Sequence, residues 1–412
     1  MSLLEGLRVL DLTDEKGQLC GRILADLGAE VIKTEKPGGD ESRNIGPFYH
    51  DETHPEKSLF WFAYNRGKKG ITLNLQKEGG KEIFQRLTKG ANCIIESFPP
   101  GYLDGLGLGY EVLAQWNPSI ILTSITPFGQ TGPYKDFKAP DVVAMALAGY
   151  AWLNGYPDRA PMTFSIPQAY SLAGIHAAAA TLIASYHCAV TGEGQHVDVS
   201  VAESPIWATQ ETIVAWDLVK WCPKRQGMAR ENVSGGMIQY LYPCKDGSVS
   251  FHVIGGKGGA QFMKALTQWM KSEGMENEYF SKMEWESFDL FFADKEMLER
   301  VQEPIREFFK RYTKEELYRE AIKRRIMLFP ASTIDGLLDN EQLKARGFWK
   351  RIEHPELNTS IVYPGTFYCL SEESVETLGR APLIGEHNQE ILGNGLGYSD
   401  KDLMRLKETG CI

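Results

Sequence analysis

Residues 7–12 read LRVLDL and residues 29–35 read AEVIKTE, with GQLCGRILADLG at 17–28 between them. The two outer runs are short, apolar and strand-sized, whereas Leu19, Ile23 and Leu27 recur at helical spacing with Cys20 and Leu24 beside them. The alternation continues through ITLNL (71–75), a helical pattern carrying Ile83 and Leu87, ANCIIES (91–97) and SIILTSI (119–125). Strand, helix and strand in units of this length predict an α/β fold, a parallel sheet covered by helices.

The chain has 412 residues, 54 acidic and 44 basic, a formal charge of −10 and 43% hydrophobic residues. At about 100–200 residues per domain, that is two to three domains with ample apolar material for a core. The acidic balance, without long blocks of like charge, argues against nucleic-acid or anionic-membrane binding. The opening MSLLEGLRVLDLT carries an acid and breaks its apolar run early, unlike a secretory leader. No stretch approaches the ~18 uninterrupted apolar residues of a membrane span. These features predict a cytoplasmic protein whose partners are small molecules or other proteins.

Further along, the composition becomes rich in Ala, Gly and Leu. Residues 171–190 predict one long buried helix, ended at Gly192, and QHVDVSV (195–201) predicts an alternating strand. Residues 237–254 predict a hairpin turning at Asp246-Gly247, and residues 295–325 charged amphipathic helices with Lys323, Arg324 and Arg325 at a solvated end. The expected division is a large domain at 1–224, a smaller inserted α+β domain at 225–330, and a return to the large domain over 331–412.

Familiar site motifs are missing. The segment after the first strand, DLTDEKGQLCG, has too few glycines for G-x-G-x-x-G and carries Asp14 and Glu15 where a pyrophosphate would be repelled. G-x-x-x-x-G-K-[ST] is absent, and GGKGGAQF (255–262) reads as a flexible loop. Neither G-x-S-x-G nor HExxH occurs, the seven cysteines form no CxxC, and His176 and His187 read as packing residues, so no metal site is expected. The aromatic-rich stretches around Phe48, Tyr49, Phe60, Trp61 and Trp152 read first as core, with contact to an aryl group as the open alternative. Two basic groups fall at predicted strand ends, Lys33 with Lys36 and Arg66 with Lys68 and Lys69, where ligands of parallel sheets bind and phosphates could be neutralised.

Several long motifs, in order, resemble the family III CoA-transferases: LEGLRVLDLT (4–13), LADLGAEVIKTEKPGGDESR (24–43), FAYNRGKKGITLNLQKEGG (62–80), IIESFPPGYLDGLGLGYEVL (94–113), NPSIILTSITPFGQTGPY (117–134), TGEGQHVDVSV (191–201), FPASTIDGLLDNEQLKARGFW (329–349) and APLIGEHNQEILGNGLGYSDKDL (381–403). The resemblance implies a Rossmann-like large domain built from both chain ends, and an interlocked dimer. It also implies coenzyme A or acyl-CoA as a substrate rather than a bound cofactor. Carried over by position, it assigns CoA contacts to Lys36, Lys69, Leu73, Ser97, Phe98, Tyr102 and Lys138.

Family chemistry uses one aspartate, whose carboxylate attacks a thioester to give a mixed anhydride. It lies four residues before the glycine opening the small-residue helix. That glycine is Gly174, and Tyr170 stands in the aspartate's place. No Asp or Glu occurs from Arg159 to Gly192, so no shift of register restores it. A phenol, protonated at neutral pH, does not replace it. Pro140 before Asp141 likewise disfavours the family's racemase branch, which needs a His there. The resemblance thus implies the non-catalytic subunit of a hetero-oligomer whose homologous partner supplies the Asp, moving CoA from an acyl-CoA such as succinyl-CoA to a carboxylic acid, with benzylsuccinate as a candidate. Two alternatives stay open: a homodimer using another carboxylate such as Asp14 or Glu15, and a CoA-ester binding protein without turnover.

Overall fold

The computed structural model describes residues 2–371 and 379–412. The chain forms two compact units, one from residues up to 148, 164–210 and 341 onward, the other from 149–163 and 211–340. The second therefore takes in the expected 225–330 and extends beyond it on both sides.

The first unit is built on a six-stranded sheet, among the described residues, of β1 (Arg8–Leu12), β2 (Glu30–Glu35), β3 (Lys69–Thr72), β4 (Cys93–Glu96), β5 (Ile121–Thr126) and β6 (His196–Ser200), in the order β3-β2-β1-β4-β5-β6. Every pairing is parallel. β4 and β5 are buried along their whole length because helices cover both faces, which is why they read as continuous apolar runs. Connecting helices α1 (Gln18–Asp26), α2 (Leu59–Asn65), α3 (Glu78–Lys89), α4 (Tyr102–Gly105) and α5 (Tyr110–Trp116) follow the periodicity of their sequences. Ile83 and Phe84 of α3 are fully buried and Leu87 nearly so, each contributing about 1.5–3 kcal/mol. The C-terminal segment joins this core through Ile391, Leu392 and Ile412. The strand order reverses between β1 and β4, so their C-terminal ends flank the crevice where such sheets bind ligands.

After α6 (Asp141–Leu147) and a short α7 (Tyr150–Leu153) comes α8 (Ala169–Thr191). Gly174 lets α8 approach α1 closely, since a Cβ there would lie 2.9 Å from Leu19 Cβ and 3.2 Å from the Cys20 nitrogen. The expectation of a wholly buried helix is corrected. Ala173, Ala177, Ala178 and Ala184 are buried, but Ile175, Ile183, Tyr186 and Val190 are 48–75% exposed. By length and composition α8 is the one helix, among the described residues, able to cross a membrane; its buried face packs on α1, β5 and β6.

In the second unit, Leu241–Cys244, Gly247–Phe251 and Leu328–Pro330 form an antiparallel sheet. Cys244 pairs with Gly247, so the hairpin turns at Lys245-Asp246, one residue earlier than predicted. GGKGGAQF corrects to the start of a helix, Gly256–Ser272, not a loop: a Cβ on Gly259 would meet Ile254 Cγ2 at 2.1 Å. Lys323 and Arg324 end the helix Lys314–Arg324, as its charge pattern predicts. This unit has its own core around Trp269, Trp285, Phe308 and Phe309.

Candidate functional site

The loops leaving the C-terminal ends of β1 to β4 enclose a cavity of about 460 Å³, lined among others by Asp14, Lys36, Leu73, Ser97, Phe98 and Tyr102. Five of the seven residues expected to contact CoA thus meet in one place. A second cavity, of about 500 Å³, shares Asp14, Ser97 and Phe98 with the first and adds Glu15, Lys16, Phe137, Lys138 and Tyr170. Both fall in the size range of small-molecule sites. Lys138 and Tyr170 therefore lie together, with Ser97 and Phe98 shared between their cavity and that of Lys36, Leu73 and Tyr102.

Lys69 is placed elsewhere. It begins β3, at the opposite end of the strand from Leu73, and bonds Glu30 at 2.8 Å and Glu390 at 2.7 Å. The other basic groups at strand ends are also held in ion pairs. Lys68 bonds Asp11 at 2.7 Å, Lys33 lies 3.8 Å from Asp11 and 3.5 Å from Asp40, and Arg66 bonds Asp26 at 2.8 Å. Burial demands such counter-ions, because an unpaired charge in the core is costly. Lys36, more than half exposed, is the one cation lining the first cavity among the described residues, and it pairs with Glu41.

The acids around the first cavity are matched from behind. Arg43, fully buried, bonds Glu35 at 2.6 and 2.8 Å and lies over the Trp61 ring at 3.7 Å, which makes Trp61 structural. Asp40, partly buried beside Lys33 and bonded to Ser42, is held below the usual carboxylate range.

The loop Thr13–Gly17, between β1 and α1, forms the wall common to both cavities. Lys33 donates to the Thr13 carbonyl, and Thr13 in turn bonds Asp11, so the buried ion cluster anchors this loop. Asp14 pairs with Lys16. Burial, and then Asp14 beside it, raises the Glu15 carboxyl. Tyr170 opens α8, its amide donating to Asp141 Oδ1 at 2.9 Å. Burial, with Glu15 and Asp14 nearby, pushes the Tyr170 phenol above its ordinary range. Its hydroxyl is therefore a neutral donor at physiological pH, not a nucleophile.

Sequence reasoning missed Lys16 and Glu96. Glu96 closes β4 and its carboxylate accepts the Phe98 amide at 2.6 Å, shaping the Ser97-Phe98 turn. An acid at the end of an otherwise apolar strand was the available signal.

A parallel sheet of this order, with its paired cavities at the switch point, defines a ligand-binding α/β protein, and the chain belongs to CoA-transferase family III, whose model matches residues 4–388. It is similar to the succinyl-CoA:(R)-benzylsuccinate CoA-transferase subunit BbsE of Thauera aromatica, at 36% identity over 98% of this chain and 97% of that protein. It is also similar to the succinyl-CoA–D-citramalate CoA-transferase of Chloroflexus aurantiacus, at 30% identity over 99% of this chain and 98% of that protein. Among solved structures, a CAIB/BAIF family protein from Brucella suis matches with a TM-score of 0.80 and 28% identity, covering 95% of this chain and 99% of that one.

Proposed function

We propose that this chain is the aspartate-lacking subunit of a hetero-oligomeric, cytoplasmic CoA-transferase that moves CoA from an acyl-CoA such as succinyl-CoA to a carboxylic acid, with benzylsuccinate the leading acceptor. The observation that carries the reading is Tyr170 lining the second cavity; the family resemblance assigns that position to the nucleophile. A neutral phenol there can donate a hydrogen bond to a thioester or carboxylate but forms no acyl anhydride. Lys36, Leu73, Ser97, Phe98 and Tyr102 are the proposed CoA contacts, with Lys138 facing the reacting end.

The aspartate is assigned to a homologous partner, joined to this chain as in an interlocked dimer with a small domain inserted in each. The exposed apolar face of α8 supports this, since contiguous apolar surface marks association. The resemblance to BbsE, named as a subunit, supports a two-subunit enzyme and suggests the aryl-bearing acceptor. The test is succinyl-CoA exchange by the purified chain, alone and with an aspartate-bearing homologue. Activity only in the mixture, with hydroxylamine-trapped acyl groups on the homologue alone, is the expected result; full activity of the isolated chain overturns it.

Glu15 favours one second reading. It lines the same cavity as Tyr170 and its carboxyl is raised by burial, so a homodimer using this carboxylate is the competing mechanism. Loss of all activity in Glu15→Gln alone, with the partner's Asp dispensable, selects it.

A further inference from the structure

Glu96, Ser124 and His196 stand in a row across three adjacent strands. Glu96 ends β4, Ser124 is its register partner on β5, and His196 begins β6. Glu96 is 4% exposed and Ser124 1%. Ser124, beside Glu96 in the register, favours its charged form, and Ser124 Oγ lies 2.8 Å from His196 Nε2. All three line a third cavity, of about 450 Å³, with Asp104, Tyr110, Glu111 and Gln130. The other end of the row reaches the proposed CoA site, because Glu96 Oε2 accepts the Phe98 amide and Phe98 lines both cavities described above.

We propose that Glu96 is a positioning residue for the CoA-ester site, and that a Glu96–Ser124–His196 relay, opening on the third cavity, sets its charge. The proposal rests on the CoA-binding reading above for its ligand. With Glu96 protonated, its O–H donates to Ser124 Oγ and the Ser124 hydroxyl donates to bare His196 Nε2. Passage of one proton along the row leaves a carboxylate at Glu96, a Ser124 hydroxyl turned toward it, and an imidazolium at His196. The exposed imidazolium returns its proton to water. The carboxylate then holds the Phe98 amide by a charge-assisted bond, about twice as strong as a neutral one.

The surrounding charges suit this exchange. Burial raises Glu96 to about 7, with Asp14 raising it and Lys16 lowering it from the loop after β1. At His196 burial disfavours the cation, while Asp198 on its own strand and Asp104 on α4 favour it. The Tyr110 ring stacks on the imidazole at 5.7 Å. The row therefore joins a buried acid raised toward neutrality to a surface imidazole whose cation is disfavoured by burial.

The experiment measures CoA affinity by calorimetry between about pH 6 and 8 for the full chain and for Glu96→Gln, Ser124→Ala and His196→Asn, with circular dichroism as a fold check. In the wild type the dissociation constant should fall about fivefold more than in Glu96→Gln as pH rises, CoA's own titration being common to both. Ser124→Ala and His196→Asn should keep the acid and displace the midpoint. Identical pH profiles in wild type and Glu96→Gln overturn the proposal. Infrared titration of the carboxyl C=O band needs no CoA and separates this idea from the functional reading. Without CoA binding, a band lost near neutral pH, absent in Glu96→Gln and shifted in His196→Asn, upholds the relay. A wild type lacking that band refutes it.

Discussion

Ser97 Oγ donates to Asp14 Oδ1 at 2.6 Å and accepts the Asp14 amide at 2.8 Å, tying the loop after β1 to the loop after β4. Both residues line both cavities, so this pair of bonds holds the wall the cavities share. Ser97→Ala removes both bonds and leaves an amide and a carboxylate short of a partner. It should cost about 1–3 kcal/mol in urea unfolding and weaken CoA binding, whereas a loss of stability with unchanged affinity would detach the pair from ligand binding.

Lys36 and Lys69 separate ligand contact from structure. Lys36→Ala should raise the CoA dissociation constant about 5-fold, the worth of one exposed phosphate pair of ~1 kcal/mol, and the effect should shrink with salt. Lys69→Ala, at the far end of β3, should leave that constant unchanged. Equal losses in both variants would contradict the placement of the site.

Restoring the carboxylate tests how much of the catalytic geometry survives. Tyr170→Asp should confer measurable succinyl-CoA exchange on a chain that lacks it, with an acyl group trappable on residue 170. The variant's silence, given intact CoA binding, would mean that surrounding residues have also diverged.

The outer face of α8 tests partnership. Ile183 is 71% exposed and Tyr186 75%, so Ile183→Glu should change the stability of the lone chain by no more than about 0.5 kcal/mol. Sedimentation with an aspartate-bearing homologue should nonetheless show association weakened by tenfold or more. Unaltered association would move the interface elsewhere.

Glu96 leaves a pH signature in stability. Its folded pKa, about 7, lies above the ordinary 4.5, so the folded state binds the extra proton. The stability this gives is complete below 4.5 and is lost as pH rises toward 7. Glu96→Gln lacks this loss, so its stability relative to wild type should climb across the window by up to roughly 3 kcal/mol. A constant difference would mean that Glu96 titrates normally.

Much of the first unit was legible because its signals are local. Strand-sized apolar runs at β1 to β5 and helical spacing in α1 and α3 report burial directly, and burial on both faces needs no knowledge of the neighbours. The hairpin in the second unit was placed one residue off, because register there depends on how Leu241–Cys244 seats on Gly247–Phe251. GGKGGAQF reads as a loop by composition, yet Gly255 and Gly259 are required by contacts with Phe288 and Ile254 that only the folded chain supplies.

The sequence by itself determined the family and the parallel α/β fold, and it holds Tyr170 and no acid from Arg159 to Gly192 where the family resemblance expects an aspartate, since these are properties of order and identity along the chain. Only the tertiary structure decided which charges are available to a ligand. Lys33, Lys36, Arg66, Lys68 and Lys69 look alike as letters at strand ends, but folding pairs Lys33 and Lys68 with Asp11, Arg66 with Asp26 and Lys69 with Glu30. Lys36 alone of the five lines the cavity. The physical reason is that a buried cation must be neutralised by whatever acid the topology brings beside it, and that acid lies tens of residues away in sequence.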